Sequence, residues 1–375
     1  MHEIRYPEDE SLILPARYRI VRCAGCGQVF DDFDADETVF ATYYRNCLKY
    51  VQAYSAGAGG LSPFDVERFT GAIEFTAPGP GDAIADFGAA KGGLLKLLAD
   101  RGCRDLFAVD ASPDCIRFIR ESYGIPGVAA DLADLAAGRE FDLIFCTQVF
   151  EHLFHPAEIL RRIGKHLKVG GRLYLDVPDA ANYRLDCATP YYFLDREHIN
   201  HFSLETLAAL LEANGFAIEK SDSTAFGPEH SKIRHRHVRM LARKLAAPVP
   251  APLRCAASPG REMRAYLEES ARTDLLLRQK LAAEPPEEVY LWGVGAHCMR
   301  LLAEGAFDRF RIAGLIDADP ARQRQCLGPH RIFPPQVAAD RDDVAVIITS
   351  VLYSEAIRRQ LRQLGFRGRV IDADL

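Results

Sequence analysis

Residues 83–110, AIADFGAAKGGLLKLLADRGCRDLFAVD, constrain the fold of this chain more than any other stretch. An apolar run containing Ile84 and Phe87 reads as a buried strand, and a turn with Gly88, Gly92 and Gly93 follows it. Glycines there let the backbone turn tightly and approach a ligand with no Cβ in the way. Leu94, Leu95, Leu97 and Leu98 then supply the inward face of a helix. A second apolar run, Leu106-Phe107-Ala108-Val109, ends in Asp110. An acid at that point is placed to accept hydrogen bonds from two ribose hydroxyls, as at the carboxyl edge of a parallel sheet that holds a nucleoside cofactor.

Two cofactor classes compete for the turn. A dinucleotide asks for G-x-G-x-x-G, with its pyrophosphate on the helix N-terminus. Here the turn runs Asp86-Phe87-Gly88-Ala89-Ala90-Lys91-Gly92-Gly93. An acid before the first glycine repels a pyrophosphate and suits a cationic group. A generic strand–turn–helix without a ligand is the bland alternative.

Further segments follow in order. Ser112 and Pro113 in SPDCIRFIRESYG suit an N-cap and first helical position. GVAADLADL carries a short strand that ends at Asp131. FDLIFCTQVFEHLFHP (141–156) holds Gln148, Glu151, His152 and His155. In LKVGGRLYLDVPDAAN (167–182), Gly170 and Gly171 read as a helix stop. EHINHFSLETLAALLEANGFAIEKSD closes the region at residue 222.

Together these segments resemble the motifs of the Rossmann-like S-adenosylmethionine methyltransferases. The turn resembles their D-x-G-x-G-x-G element, with Ala90 at the middle glycine; 141–156 resembles "FDLI…VxEHxxHP", and the last segment "EHxxxFSxxxLxxLLxxxGF". The resemblance implies that Asp86, Gly88, Ala90, Gly92, Asp110, Asp131 and Gln148 bind S-adenosylmethionine, with Asp131 near the adenine amine. The whole chain resembles three-part sugar C-methyltransferases: an N-terminal zinc-binding part, a cofactor domain and a C-terminal α/β domain. In that resemblance "Y-x-E-H-x-x-x-F-S" carries a catalytic histidine. Here Glu197, His198, Phe202 and Ser203 match, and Asp195 stands at the tyrosine position. His198 is therefore the expected general base, because an imidazole titrates near working pH. Glu197 is expected to orient it, with His152 secondary. Packing against the following helix is the alternative for His198 and His201.

The expected fold is α/β: a Rossmann-like methyltransferase domain, a small N-terminal segment and a second, smaller Rossmann-like unit. The expected boundaries are 1–70, 71–245, 246–284 for a linker and helix, and 285–375. The length of 375 residues suits two or three domains. The linker AAPVPAPLRCAASPG (246–260) is rich in proline and alanine. In the last unit Gly293, Gly295 and Asp317 form an incomplete dinucleotide fingerprint, with Cys298 at its third glycine. A nicotinamide-dependent oxidoreductase built on that unit is the rival enzyme reading. A non-catalytic protein that binds S-adenosylmethionine is the other rival.

The N-terminal part holds Cys23-Ala24-Gly25-Cys26, half of a zinc knuckle. A structural zinc takes four ligands, and His2 and Cys47 are the other candidates before the turn. The expectation is a degenerate, metal-free knuckle, with zinc or a redox pair as alternatives. Tyr43, Tyr44 and Tyr50 belong to an expected helix and either pack the core or lie over a ligand. GPEHSKIRHRHVRM (227–240) reads as a late strand with Lys232, Arg234 and Arg236 on alternate positions, facing a diphosphate, a carboxylate or solvent. A net charge of −6 gives no footprint for nucleic acid. No apolar run reaches about 18 residues, so no membrane span is expected. Ten scattered cysteines and the absence of a signal-like N-terminus suggest reduced thiols in the cytoplasm. The expected partner is a small molecule, most readily a sugar nucleotide, bound by a monomer or homodimer.

Overall fold

The computed structural model describes residues 2–7, 14–46, 61–132, 138–186, 189–227, 233–247, 256–320, 322–341 and 343–375. Tyr50, Cys47 and Lys232 lie outside these. Three short strands open the chain: β1 (His2–Arg5), β2 (Arg17–Arg22) and β3 (Val29–Phe33). They pair antiparallel in sequence order. Tyr18 and Ile20 alternate inward along β2, the period of a strand with one wet face. Cys23 and Cys26 sit in the turn between β2 and β3, closed by Gly27 N–H donating to Cys23 O at 3.0 Å.

The central sheet has seven strands. Its parallel part is β4 (Ala83–Phe87), β5 (Asp105–Asp110), β6 (Gly127–Ala129), β7 (Phe141–Thr147) and β8 (Leu167–Pro178). A two-residue strand, β9 (Asn200–His201), leaves this sheet's connections and pairs with β3. β10 (Phe216–Phe226) and β11 (His235–Lys244) then complete the order β10-β11-β8-β7-β4-β5-β6. β11 runs antiparallel between β8 and β10. The central strands β4 and β7 are buried on both faces because helices cover both. Along β7, Phe141, Ile144 and Cys146 enter one core with Ile159, Leu160, Leu207 and Leu211. Leu143 and Phe145 enter the other, with Phe69, Leu94, Leu98 and Ile119. The chain moves outward from β4 through β5 to β6 and then returns to β7 on β4's other side. That reversal opens a crevice at the carboxyl ends of β4 and β7, where ligands of such sheets bind.

A third sheet comprises β12 (Glu288–Trp292), β13 (Arg311–Ile316), β14 (Cys326–Leu327), β15 (His330–Phe333), β16 (Ala345–Ile348) and β17 (Val370–Asp372). The order β14-β15-β13-β12-β16-β17 repeats the reversal at β12 and β16. The helix Ser258–Ala283 precedes it and buries Met263, Tyr266, Ser270, Asp274, Leu277 and Leu281, three or four residues apart. The architecture is thus a Rossmann-like α/β sheet with a second, smaller α/β sheet after it.

Two local expectations are corrected. Gly170 and Gly171 do not stop a helix. The preceding helix ends at Lys165, and both glycines lie in β8, where its register against β7 shifts. A Cβ on Gly171 would stand 2.9 Å from Lys168 O, so glycine serves a bulge here. The late strand begins at His235 rather than at residue 227. Arg234, before it, donates to Ala225 O at 3.2 Å.

The β3–β9 pairing rests on a buried ion pair. His201 Nε2 lies 3.0 Å from Asp31 Oδ1, with both side chains fully buried, and Tyr183 Oη lies 3.2 Å from His201 Nδ1. His201 is therefore a packing histidine. Burial raises the Asp31 carboxyl to about 6, and His201 opposes that rise. His201→Leu is expected to cost about 3 kcal/mol at pH 8, because it strands a buried charge. In the fold Asp31 holds its proton to a higher pH than in the unfolded chain. Without His201 the Asp31 carboxyl rises further, so the deficit should shrink as the pH falls from 8 toward 6, where the variant's Asp31 is already neutral, and stay level below that. Denaturant unfolding at pH 8 and pH 5.5 reads both effects.

Candidate functional site

The turn after β4 is held by its neighbour strand. Gly88 N–H and Ala89 N–H donate to Val109 O at 2.8 and 3.0 Å. Gly88 has φ +86°, and a Cβ there would stand 2.4 Å from Val149 Cγ2. Only glycine fits that conformation and that approach. Ala90 also adopts a left-handed conformation, φ +44°. Its N–H donates to Asp110 Oδ2 at 2.8 Å, while Ser112 N–H donates to Asp110 Oδ1 at 2.8 Å. These bonds orient the Asp110 carboxylate and leave a lone pair on each oxygen for a ligand. Ser112 caps the next helix and Pro113 opens it.

Asp86 is buried, and its Oδ1 has no hydrogen-bond partner. Burial and then the neighbouring Asp110 charge raise its carboxyl to about 7, with Arg68 acting against them. A cation brought beside it would restore the charged form.

These groups border a cavity of about 1090 Å³ at the switch point of the sheet. Asp86, Gly88, Ala90, Asp110 and Asp131 are among its walls. Gln148, His152, Glu197 and His198 line it too. Gly92 does not border it; it caps the helix Gly93–Asp100. Gln148 has φ +57°, and its Nε2 donates to Asp176 Oδ1 at 2.8 Å. Burial raises the Asp176 carboxyl, but His237, Arg68 and Gln148 outweigh that and hold it below the ordinary range. His237 Nδ1 stands 2.8 Å from Asp176 Oδ1.

The loop that carries His198 is fastened from several sides. Tyr6 and Tyr18 hydroxyls both donate to Leu194 O, at 3.1 and 2.7 Å. Ser270 Oγ accepts from Tyr191 N–H at 3.1 Å, and the Tyr266 hydroxyl oxygen accepts from Phe193 N–H at 3.2 Å. Asn200 Nδ2 donates to Leu153 O at 2.6 Å, which ties the loop to the turn holding His152. His152 and His198 rings meet edge to face at 5.0 Å. Glu197 was expected to orient His198; its Oε1 accepts from the Tyr43 hydroxyl at 2.9 Å. The carboxylate grouped with both imidazoles is Glu151. It is buried, and burial first, then Asp176, pushes its carboxyl well up. Tyr44 borders the cavity, with its hydroxyl 2.8 Å from His152 Nδ1. Sequence reasoning named the Glu151-His152 pair and the adjacent tyrosines, but did not assign Glu151 a role.

A second cavity, about 330 Å³, lies between the central and last sheets. Tyr191, Arg236, Gly293, His297 and Ser350 are among its walls. Gln148, Asp195, His198 and Tyr353 border both cavities. The last sheet repeats the acid device: Val294 N–H and Asp319 N–H donate to Asp317 at 3.1 and 3.0 Å. Gly293 has φ +109°, and a Cβ would meet Ser350 Cβ at 2.6 Å. Here, however, Arg322 pairs with Asp317 at 3.7 Å and also donates to Val294 O. Cys298 is buried within that unit's core.

Of the other zinc candidates Cys47 lies outside the described residues. His2 stacks on Tyr191 at 5.0 Å. Backbone N–H groups of Cys26 and Gly25 lower the Cys23 thiol, and burial raises that of Cys26. No helix among the described residues is long and apolar enough to cross a membrane.

An open sheet with an acid-tipped second strand and a glycine turn at its switch point is a nucleoside-cofactor fold. Residues 67–221 match a family model described as a methyltransferase domain. Among similar curated proteins is a ubiquinone biosynthesis O-methyltransferase of Xanthomonas euvesicatoria pv. vesicatoria. It is 30% identical over 122 residues, 31% of this chain and 49% of that protein. The Ralstonia nicotianae protein of the same name is 30% identical over 109 residues, 27% of this chain and 45% of its own length. The chain spans about half the length of these relatives. One similar solved structure is the 1,6-didemethyltoxoflavin-N1-methyltransferase of Burkholderia thailandensis, at 18% identity and a TM-score of 0.42. That match covers 60% of this chain and 98% of the other.

Ala90 occupies a backbone region that costs a non-glycine residue about 1–2 kcal/mol. Glycine's greater freedom in the unfolded chain returns part of that. Ala90→Gly should raise unfolding stability by about 0.5–1 kcal/mol, read as a higher denaturant midpoint with an unchanged slope.

Proposed function

We propose that this chain transfers a methyl group from S-adenosylmethionine to a small molecule, most readily a nucleotide-linked sugar or a related biosynthetic intermediate. The observation that carries this reading is the meeting of two cavities at His198. One holds the glycine turn and Asp110; the other reaches the Gly293 turn of the last sheet. A donor in the first and an acceptor in the second would approach each other at His198, Gln148 and Asp195. The matching methyltransferase domain supports the donor half. The division at residues 70, 245 and 284 is part of this proposal, and a cytoplasmic location suits such a substrate.

In this reading Asp110 holds the ribose hydroxyls, Asp131 the adenine amine, and Asp86 the ammonium of the methionine portion. Gln148 closes the cofactor side. The cofactor supplies the electrophilic methyl, so the chain's task is alignment, exclusion of water and removal of one proton. His198 takes that proton from the acceptor carbon or oxygen. In the acceptor cavity, Arg236 and the N–H groups at the start of the helix Ala296–Ala303 suit a diphosphate. The Arg322–Asp317 pair favours this reading over nicotinamide binding at the last sheet, because it already engages the acid a ribose needs.

Calorimetric titration with S-adenosylhomocysteine tests the donor site. Micromolar binding at one site is expected, with Asp110→Ala weakening it about 100-fold, the loss of two hydrogen bonds to a charged acceptor. Affinity should fall as the pH drops below about 7, where Asp86 is protonated and cannot meet an ammonium without losing that proton. Near pH 7 binding should release a proton to the buffer, seen as a heat that varies with buffer. No binding at millimolar ligand would remove the proposal. His198→Ala should keep S-adenosylhomocysteine binding and lose about 10²–10⁴-fold in turnover on a sugar nucleotide that gains a methyl group. Full turnover in that variant would remove His198 from the mechanism.

A further inference from the structure

We propose that Glu151, His152 and His198 form a binding site for a divalent first-row cation of the zinc class. One oxygen of Glu151 and one nitrogen of each imidazole all lie within 4.8 Å of one another. Zinc binds nitrogen and oxygen at about 2.0–2.2 Å. Ligand atoms around one ion therefore stand about 3.4 Å apart, and binding would draw these groups together from separations of up to 4.8 Å.

Glu151 supplies the independent sign of a ligand. It is 1% exposed, and neither carboxylate oxygen has a hydrogen-bond partner. A buried carboxylate normally answers its loss of water with donors, a counter-charge or an ion. Asp31 and Asp176 are answered by histidines at 3.0 and 2.8 Å. Glu151 stands 3.8 Å from His152 Nε2, too far for a hydrogen bond and close enough for an ion to bridge.

One tautomer of His152 suits this role. Its Nδ1 is 2.7 Å from Glu197 O and 2.8 Å from the Tyr44 hydroxyl. With the Nδ1 proton given to the carbonyl, Nε2 keeps its lone pair for an ion beside Glu151. Backbone partners of this kind fix metal-binding imidazoles in known sites. Two imidazoles and one carboxylate suit zinc-class ions better than magnesium or calcium, which take oxygen shells. Three protein ligands leave a coordination position open, and all three residues border the cofactor cavity.

An acceptor hydroxyl bound at that position would be made more acidic by the ion and would give its proton to solvent water. With the ion present, His198 gives its lone pair to the metal and no longer acts as the base. With the ion absent, it takes the proton itself. The site stands on the geometry of these three residues and does not rest on the methyl-transfer reading.

Cobalt(II) titration of the intact chain, followed by visible absorption, tests it. One equivalent should bind and give a d–d spectrum with nitrogen and oxygen ligation. Glu151→Gln and His152→Gln should each weaken binding at least 100-fold. His155→Ala, an exposed neighbour 3.6 Å from Glu37, should leave it unchanged. Circular dichroism and S-adenosylhomocysteine binding on the same samples confirm that each variant is folded. A native chain that takes up no cobalt, or a spectrum that survives Glu151→Gln and vanishes in Cys23→Ser, would overturn the site. A chain that binds S-adenosylhomocysteine but no cobalt loses this inference alone. A chain that binds cobalt but no S-adenosylhomocysteine keeps it and loses the methyl-transfer reading.

Discussion

Carboxylates taken out of water organise this structure. Asp31, Asp86, Glu151 and Asp176 are all buried, and each demands something of its surroundings. Asp31 draws His201 to it, and that pair fastens a two-residue strand to the N-terminal sheet. Asp176 draws in His237 and Gln148, which sets the wall between the two cavities. Asp86 Oδ1 and both Glu151 oxygens have no hydrogen-bond partner, and both residues border the larger cavity. Partnered carboxyls thus build the frame, and in the proposed readings the other two are where ligands bind.

The two Rossmann-like sheets use one device with different outcomes. In each, the acid after the second strand accepts an N–H from the glycine turn and another from two residues ahead. In the central sheet the acid's remaining lone pairs face a large cavity. In the last sheet Arg322 engages the acid. A fold-level likeness between two units therefore says little about ligands; the side chain beside the acid decides.

Much of the central sheet was legible because its signals are local. The glycine turn, Asp110 and the Ser112-Pro113 cap each occupy a few consecutive residues. Features made by distant residues were not legible. The Asp31–His201 pair joins residues 170 apart in sequence, and no periodicity announces it. Gly170 and Gly171 misled because glycine serves a helix stop and a bulge equally well. Glu151 lies beside His152 in the sequence, but its burial and lack of partners depend on packing across the sheet. The grouping of His152 with His198 follows from Asn200 reaching the Leu153 carbonyl, a contact that composition cannot encode.

The His198 loop is gripped by its main chain. The anchoring atoms are Tyr191 N, Phe193 N and Leu194 O, met by hydroxyls from Tyr6, Tyr18, Tyr266 and Ser270. Every residue except proline offers a backbone donor and acceptor. Tyr192 and Asp195 can therefore change identity with those anchoring atoms still in place. Under the proposed methyl transfer, catalytic placement and acceptor preference would be written in different parts of the same segment. A chain built this way could exchange one substrate for another by altering side chains at the second cavity, with the imidazole and the turn that faces it left in register.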